Sequence, residues 1–383
     1  MQNGKERPPI RIALVGHRFM GAAHANAWRQ VARFFVDCPF EPVLAVLCGR
    51  DEADLARAAR RYGFEAISTD WREAVARHDV DVVDVCTPGD LHAPIALAAA
   101  AAGKVVLCEK PLANSVAEAS RLVDAVRQAG VTNMVCHNYR RLPAVALARR
   151  WIEAGRIGRI RHFRGTYLQD WLVDAEHPRT WRLERARAGS GALGDLGAHV
   201  VDLARWLVGE IEAVCGLVET FVAERPLEGG GRGAVDVDDA ALALLRFEGG
   251  AIGTLEATRV APGRKNHNRF EINGSRGSIA FDLERLNEIE LFEHEGPDAG
   301  FRRVLATDPG HPYLEAWWPP GHGLGYEHGF THTVLDLLRA HAAGERPRPD
   351  FADALATQRV LEAIERSASA GRWLRTDAEP DPG

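Results

Sequence analysis

The chain has 383 residues, 46% apolar and 26% charged, with 47 Lys plus Arg against 53 Asp plus Glu for a net charge of −6. At roughly 150 residues per domain, that length predicts two globular domains. The composition excludes disorder, collagen-like repeats and coiled-coil rods, and a mildly acidic chain has no pull toward phosphate backbones or anionic lipid, so neither nucleic acid nor a membrane is an expected partner.

From Ile10 onward, short apolar runs alternate with helical patterns: Ile12–Val15, Val43–Cys48, Val80–Cys86, Val105–Cys108 and Val131–Cys136 read as strands. Helical stretches at Asp51–Arg61, Leu91–Ala102 and Ser115–Ala129 lie between them, the last opened by a Ser115/Glu118 capping box. Asp70 and Glu73 open the short 70–77 stretch in the same way. Alternation of this kind predicts an α/β fold with a doubly wound parallel sheet over residues 1–140. Cys48, Cys86, Cys108 and Cys136 end or interrupt these runs without CxxC spacing, so they read as buried, reduced thiols and not as a zinc or redox motif.

After a helix at Ala144–Glu153 the pattern changes. Ile160–Leu168, Glu212–Val222, Ala240–Phe247, Ala251–Ala257, Asn268–Asn273 and Ser278–Asp282 read as successive strands with few helices between. They predict an open-faced, mostly antiparallel sheet, with hairpin turns at Gly229–Gly231 and Gly249-Gly250. Helices near His328–Ala342 and Asp353–Ala370 close this second domain, 141–375, ahead of a polar tail from Thr376. The most apolar stretch, Ile95–Ala102, falls far below the roughly 18 residues of a spanning helix. The polar start, Met1–Pro9, has no apolar signal region, which predicts a cytoplasmic location.

Three constellations carry chemistry. Gly16-His17-Arg18-Phe19-Met20-Gly21 follows the first strand and opens a helix, where glycines let backbone amides approach a dinucleotide pyrophosphate, although Arg18 takes the middle glycine position. At the end of the second strand, Arg50 favours a 2′-phosphate and Asp51 a free ribose, so NAD and NADP are both carried forward. Thr87-Pro88-Gly89-Asp90-Leu91-His92 and Glu109-Lys110-Pro111 follow two further strands, at the carboxyl ends where open α/β sheets bind ligands, with Pro111 expected to fix the backbone. In the second half, Gly189-Ser190-Gly191 leads into Gly194-Asp195, and Asp195, His199 and Asp202 share a helix face on which a carboxylate can orient an imidazole.

Taken together, Gly16–Gly21 with His24, Thr87-Pro88 with His92, Glu109-Lys110-Pro111, and Asp195 with His199 resemble the glucose–fructose oxidoreductase/inositol dehydrogenase family over nearly the whole chain. The resemblance implies an N-terminal Rossmann domain, an open-faced β-sheet domain, and hydride transfer between NAD or NADP and a carbohydrate. Asn138–Ala148 and Phe163–Trp171 are similar to a subgroup that oxidises the 3-hydroxyl of anhydrosugars or glycosides. Carried over by position, Lys110, His199 and Asp195 become the candidate catalytic residues: His199 accepts the proton, Lys110 contacts both the nicotinamide ribose and the substrate hydroxyl, and Asp195 orients. Gly16, Arg18, Phe19, Met20, Gly21, Arg50, Thr87, Pro88, His92, Glu109 and Lys110 become cofactor positions, Glu109 on the nicotinamide ribose. Tyr139, Gln169 and Trp171, with Lys110, Asp195 and His199, become substrate positions.

Two rivals accompany this reading. One is an NAD-dependent glycosidase that oxidises the 3-hydroxyl transiently; the other is a sugar- or dinucleotide-sensing regulator without catalysis, against which the retained Lys110, Asp195 and His199 argue. Trp171, Trp181, Trp317 and Trp318 offer flat faces for a sugar ring, with core packing as the plainer role. His311, His322, His328 and His332 lack a neighbouring carboxylate or thiol in ligand register, so no metal is expected. An uncovered sheet face predicts a homodimer or homotetramer.

Overall fold

The computed structural model describes residues 7–294, 297 and 299–378. The first six residues of the polar start and the end of the tail, 379–383, lie outside the described residues. Two units make up the chain, the first comprising residues up to Ala113, Ala117–Arg141 and Gly325–Leu355, the second Asn114–Val116, Leu142–Leu324 and the chain from Ala356.

In the first unit, β1 (Pro9–Val15), β2 (Glu41–Cys48), β3 (Ala66–Ser68), β4 (Val82–Val85), β5 (Val105–Cys108) and β6 (Asn133–Val135) form one sheet in the order β3-β2-β1-β4-β5-β6. Every neighbouring pair in it is parallel. Connecting helices are α1 (Phe19–Phe34), α2 (Glu52–Tyr62), α3 (Trp71–Ala76), α4 (His92–Ala101) and α5 (Val116–Ala129). Strands covered on both faces are apolar throughout, and all four residues of β4 are buried, Asp84 included. The helix starts follow their capping residues: Asp51 accepts from the Asp54 amide and Asp70 from the Arg72 amide. The sheet order reverses between β1 and β4, which opens a crevice at the carboxyl ends of those strands. β3, three residues long, is too short to leave a periodic signal in the sequence.

The second unit is built on α6 (Pro143–Glu153), β7 (Ile160–Leu168), α7 (Arg185–Ala188), α8 (Ala198–Leu207), β8 (Ile211–Glu219), the hairpin β9 (Glu224–Pro226) and β10 (Arg232–Ala234), and β11 (Ala240–Phe247) to β17 (Leu374–Arg375). Between these come β12 (Ile252–Thr258), β13 (His267–Gly274), β14 (Gly277–Asp282), β15 (Glu288–Glu293) and β16 (Arg302–Leu305). Nine strands make one sheet in the order β16-β15-β14-β13-β7-β12-β11-β8-β17. All its pairs are antiparallel except β12 with β7, so the sheet is mixed at its centre, a departure from a purely antiparallel meander. Along β11 burial alternates: Ala241, Ala243, Leu245 and Phe247 face the core, Leu242 and Leu244 the open side. α8 lies on the inner face over Gly165, where a Cβ would stand 2.4 Å from Val200 Cγ1.

Two long helices end the chain, α9 (His328–Ala343) and α10 (Phe351–Ala370). The sequence reading places both in the second domain, whereas α9 belongs to the first unit. Its apolar face, including Phe330, Val334 and Leu338, packs against α1, the Phe330 ring lying 5.3 Å from that of His24. Arg141 anchors the same helix through Asp336 at 2.9 Å. Among the described residues no helix is long and apolar enough to cross a membrane.

Candidate active site

At the β1–α1 turn the Ala22 amide closes the first helical bond onto the Arg18 carbonyl, leaving the amides of Phe19, Met20 and Gly21 at the open start of a 16-residue helix. Gly16 has φ +104°, and a Cβ on it would stand 2.4 Å from the Cys86 carbonyl oxygen; one on Gly21 would stand 1.9 Å from the oxygen of Gly16. Side chains at either position would fill the turn. Arg18, in the middle, directs an 83% exposed side chain to within 3.6 Å of Asp54, so it leaves the turn open. Phe19 is exposed and stacks on Tyr326, ring centroids 6.3 Å apart. Arg50 is exposed, and Asp51 spends one carboxylate oxygen on its helix cap.

Past β4, the Thr87 hydroxyl is buried without a hydrogen-bond partner. An orphaned hydroxyl beside a glycine cradle and free helix amides, at the carboxyl ends of parallel strands, fits a dinucleotide whose polar groups would satisfy it. Pro88 leads into a single turn of 3₁₀ helix at Gly89–Leu91. His92 is buried with its ring nitrogens 2.8 Å from the Pro111 carbonyl and 2.9 Å from that of Thr87, so it ties the loops after β4 and β5 together. Burial lowers its proton affinity below the usual histidine range. The Lys110–Pro111 peptide is cis.

Glu109 is buried and accepts from two directions. His24 Nε2 lies 2.9 Å from Oε1, and the Lys110 amide donates to Oε2 at 3.1 Å. His24 Nδ1 in turn lies 2.9 Å from both Asp84 oxygens, and the Trp28 indole donates to Asp84 at 2.7 Å. Burial works against the charge on His24, yet the Asp84 carboxylate outweighs it and raises its proton affinity well above the ordinary range. Burial likewise opposes the Glu109 charge, and the His24 hydrogen bond still holds that carboxyl below its ordinary value. His24 belongs to the sequence motif; Asp84 does not, although a carboxylate inside the apolar run Val80–Cys86 is a signal that could have found it. Tyr139, expected at the substrate, is buried with its ring 6.4 Å from that of Tyr326.

In the second unit Asp195 sits on a π-helical turn, Leu193–Gly197, that runs into α8. Such wide turns recur at functional sites, and the extra residue shifts Asp195 relative to the α-helical face carrying His199 and Asp202. Glycines permit the turn's close seating: a Cβ on Gly191 would fall 1.8 Å from the Asp238 carbonyl oxygen. The Asp238 carboxylate accepts the amides of Gly191 at 2.6 Å and Leu193 at 2.8 Å. His199 is buried, its ring 5.8 Å from that of Tyr167. Asp195, 29% exposed, has Oδ2 3.8 Å from the guanidinium of Arg259, which is itself buried and lies over Trp171 at 5.5 Å. Arg259 escaped the sequence reading, because an arginine just past a strand end gives no spacing signal.

Gln169 donates to Asn266 at 2.9 Å and accepts from the Trp171 indole at 3.0 Å; the Tyr167 hydroxyl donates to the same Asn266 oxygen at 2.7 Å. One face of Trp171 packs on the cluster of Leu172, Leu183, Val235 and Val237, so part of its role is core. Trp181 carries the Arg182 guanidinium, and Trp317 and Trp318 lie 6.5 Å apart. The histidines His311, His322, His328 and His332 serve turns and packing. His311 accepts the Asp308 amide, His322 donates to the Pro319 carbonyl, His328 accepts the Gly325 amide, and His332 donates to the Arg141 carbonyl. Metal-ligand spacing occurs elsewhere: twice around His24, whose nitrogens already face carboxylates, and at His267 with Asp282 and Glu284 at 3.5 and 3.6 Å.

Comparison with known proteins matches residues 10–137 to an oxidoreductase family described by its NAD-binding Rossmann fold, and residues 145–280 to the GFO/IDH/MocA C-terminal domain. Levoglucosan dehydrogenase from Pseudarthrobacter phenanthrenivorans is 44% identical, the match covering 95% of this chain and 97% of that one. A crystal structure of levoglucosan dehydrogenase in complex with NADH and levoglucosan superposes with a TM-score of 0.94 at 45% identity, over 97% of this chain and 100% of that one. An oxidoreductase domain protein from Kribbella flavida gives a TM-score of 0.94 at 55% identity over the same shares.

Proposed function

This chain belongs to the GFO/IDH/MocA oxidoreductase family and carries its NAD-binding Rossmann domain, and from that premise we propose that it oxidises a secondary hydroxyl, the 3-hydroxyl, of an anhydrosugar or glycoside. Lys110 carries the reading: it sits at the carboxyl end of a central parallel strand, its amide held by buried Glu109 and the following proline's carbonyl held by His92. A lysine on a free surface loop has no such fixation. The levoglucosan in the complex of a 45% identical relative favours the anhydrosugar class.

The glycine turn, the amides of Phe19, Met20 and Gly21, and Thr87 would hold the dinucleotide, with Pro88 and Arg50 at its edges; when bound, its nicotinamide supplies the hydride acceptor. His199 takes the hydroxyl proton, for which it must come within about 2.6–3.2 Å. Lys110 stabilises the alkoxide charge that develops on the same oxygen and shares the base role. Asp195 orients His199, and Arg259 steadies Asp195. Gln169, fixed by Trp171 and Asn266, and Tyr139 complete the sugar contacts.

An absorbance screen for reduced nicotinamide tests this, with NAD and NADP each offered levoglucosan, inositols, hexoses and aryl glycosides. Steady reduction of NAD with an anhydrosugar or glycoside is expected; no reduction with any of them refutes the proposal. Aglycone release without accumulated reduced cofactor identifies the glycosidase instead.

The open sheet face adds an assembly. Leu217 and Leu242 pair across β8 and β11, and with exposed Leu244 and Ile252 they leave an apolar strip that a second copy of the chain would cover. Light scattering at micromolar concentration is expected to give a dimer or tetramer, and a monomer would contradict it.

A further inference from the structure

The charge carried by His24 is fixed by its neighbours. Nδ1 lies 2.9 Å from both oxygens of Asp84 and Nε2 lies 2.9 Å from Glu109 Oε1. An ionised carboxylate only accepts, so a ring between two of them must donate from both nitrogens, and a ring donating from both is an imidazolium. Among the described residues, the other polar groups beside it are the Trp28 indole and two thiols, and Cys86 turns its weak S–H donor to Asp84 at 3.6 Å. Trp28 on α1 donates to Asp84, Phe330 on α9 presents a ring face, and Cys86 and Cys136 are thiols whose ionisation burial pushes up, that of Cys136 to about 12. His24 and Asp84 are 1% and 0% exposed, so solvent does not screen the pair. Replacing His24 by a neutral residue leaves two carboxylates facing each other inside the first unit with no cation between them.

The relay ends on Lys110. Glu109 turns one oxygen to His24 and the other to the Lys110 amide, so the carboxylate that pins the Lys110 backbone is itself pinned by the imidazolium. We propose that His24, backed by Asp84, is a positioning residue: held permanently cationic, it fixes Glu109, and through Glu109 it sets the place from which Lys110 acts. This rests on the role given to Lys110 above.

Two measurements on the full-length chain test it. In nitrogen-15 histidine spectra of the wild-type protein, His24 is expected to keep both ring protons well above the ordinary histidine value near 6.5. A His24 that loses a proton near neutrality overturns the proposal. In kinetics, His24→Gln is expected to lower kcat by about 10²-fold, the scale of a misplaced reacting group, while the KM for the sugar changes little. Asp84→Asn is expected to bring the His24 ionisation down into the assayed range, adding a step to the pH profile of kcat that the double variant with His24→Gln lacks. Undiminished kcat in a folded His24→Gln protein, or a pH profile unmoved by Asp84→Asn, also overturns it. Should His24→Gln fail to fold, the spectra and the Asp84→Asn profile still decide. A wild type that oxidises no carbohydrate yet shows an imidazolium at His24 refutes the functional reading alone, because the spectra need no substrate.

Discussion

The two units fix their candidate site residues by opposite means. In the first, side chain holds side chain: Trp28, Asp84, His24 and Glu109 form a buried chain of contacts between 2.7 and 2.9 Å. In the second, backbone does the holding: glycines let the π turn settle against the Asp238 carbonyl, the Asp238 carboxylate takes two amides, and Asp195 meets Arg259 only at 3.8 Å with part of its surface open. The first arrangement gives both His24 nitrogens and both Glu109 oxygens a partner. The second keeps the Asp195 carboxylate 29% exposed. On the proposed mechanism, rigidity suits His24 and Glu109, which position Lys110, and exposure suits Asp195 beside His199.

Substitutions can break this contrast at either end. The largest effect is expected from Lys110→Ala and His199→Ala, each lowering kcat by about 10³-fold, with NADH affinity by fluorescence titration close to wild type; near-normal rates in both would remove the division of labour altogether. Arg259→Met should act on the second unit's fold as well as on activity, costing about 3–5 kcal/mol in urea unfolding, because it strips the buried cation from among Asp195, Asp238 and Asp239. Gly21→Ala drives a methyl into the Gly16 carbonyl and should cost about 1–3 kcal/mol together with weaker NADH binding. Arg18→Ala is the smallest: with its side chain in solvent, stability should stay within about 0.5 kcal/mol. A large loss of NADH affinity there would give the middle position of the turn a binding role that its geometry does not suggest.

Most of the fold was legible because the period of the apolar residues changes where the fold changes. Ile160–Leu168 and Ala240–Phe247 were bounded to the residue, since alternation along a half-buried strand is strict. β15 and β16 were not foreseen: β16 is mostly charged, with Arg303 pairing to Glu288 across the strands, and the alternation in β15 rests on two buried residues, Ile289 and Leu291. α9 was recognised as a helix and assigned to the other domain, because an apolar stripe states that a face is buried without naming what buries it. The site divided in the same way. Short spacings exposed Glu109-Lys110 and Asp195-His199, whereas Asp84 and Arg259 enter through long-range contacts to residues 60 and 64 positions away, to His24 and Asp195. Neither leaves a local pattern.

The claim at the centre is that Lys110 and His199 act on one hydroxyl, and a crystal structure of the enzyme with NADH and an oxidisable anhydrosugar tests it directly. Lys110 Nζ and a His199 ring nitrogen are both expected within about 3.2 Å of a single sugar oxygen. A sugar bound in order against the cofactor with either group beyond hydrogen-bonding reach of that oxygen would contradict the account.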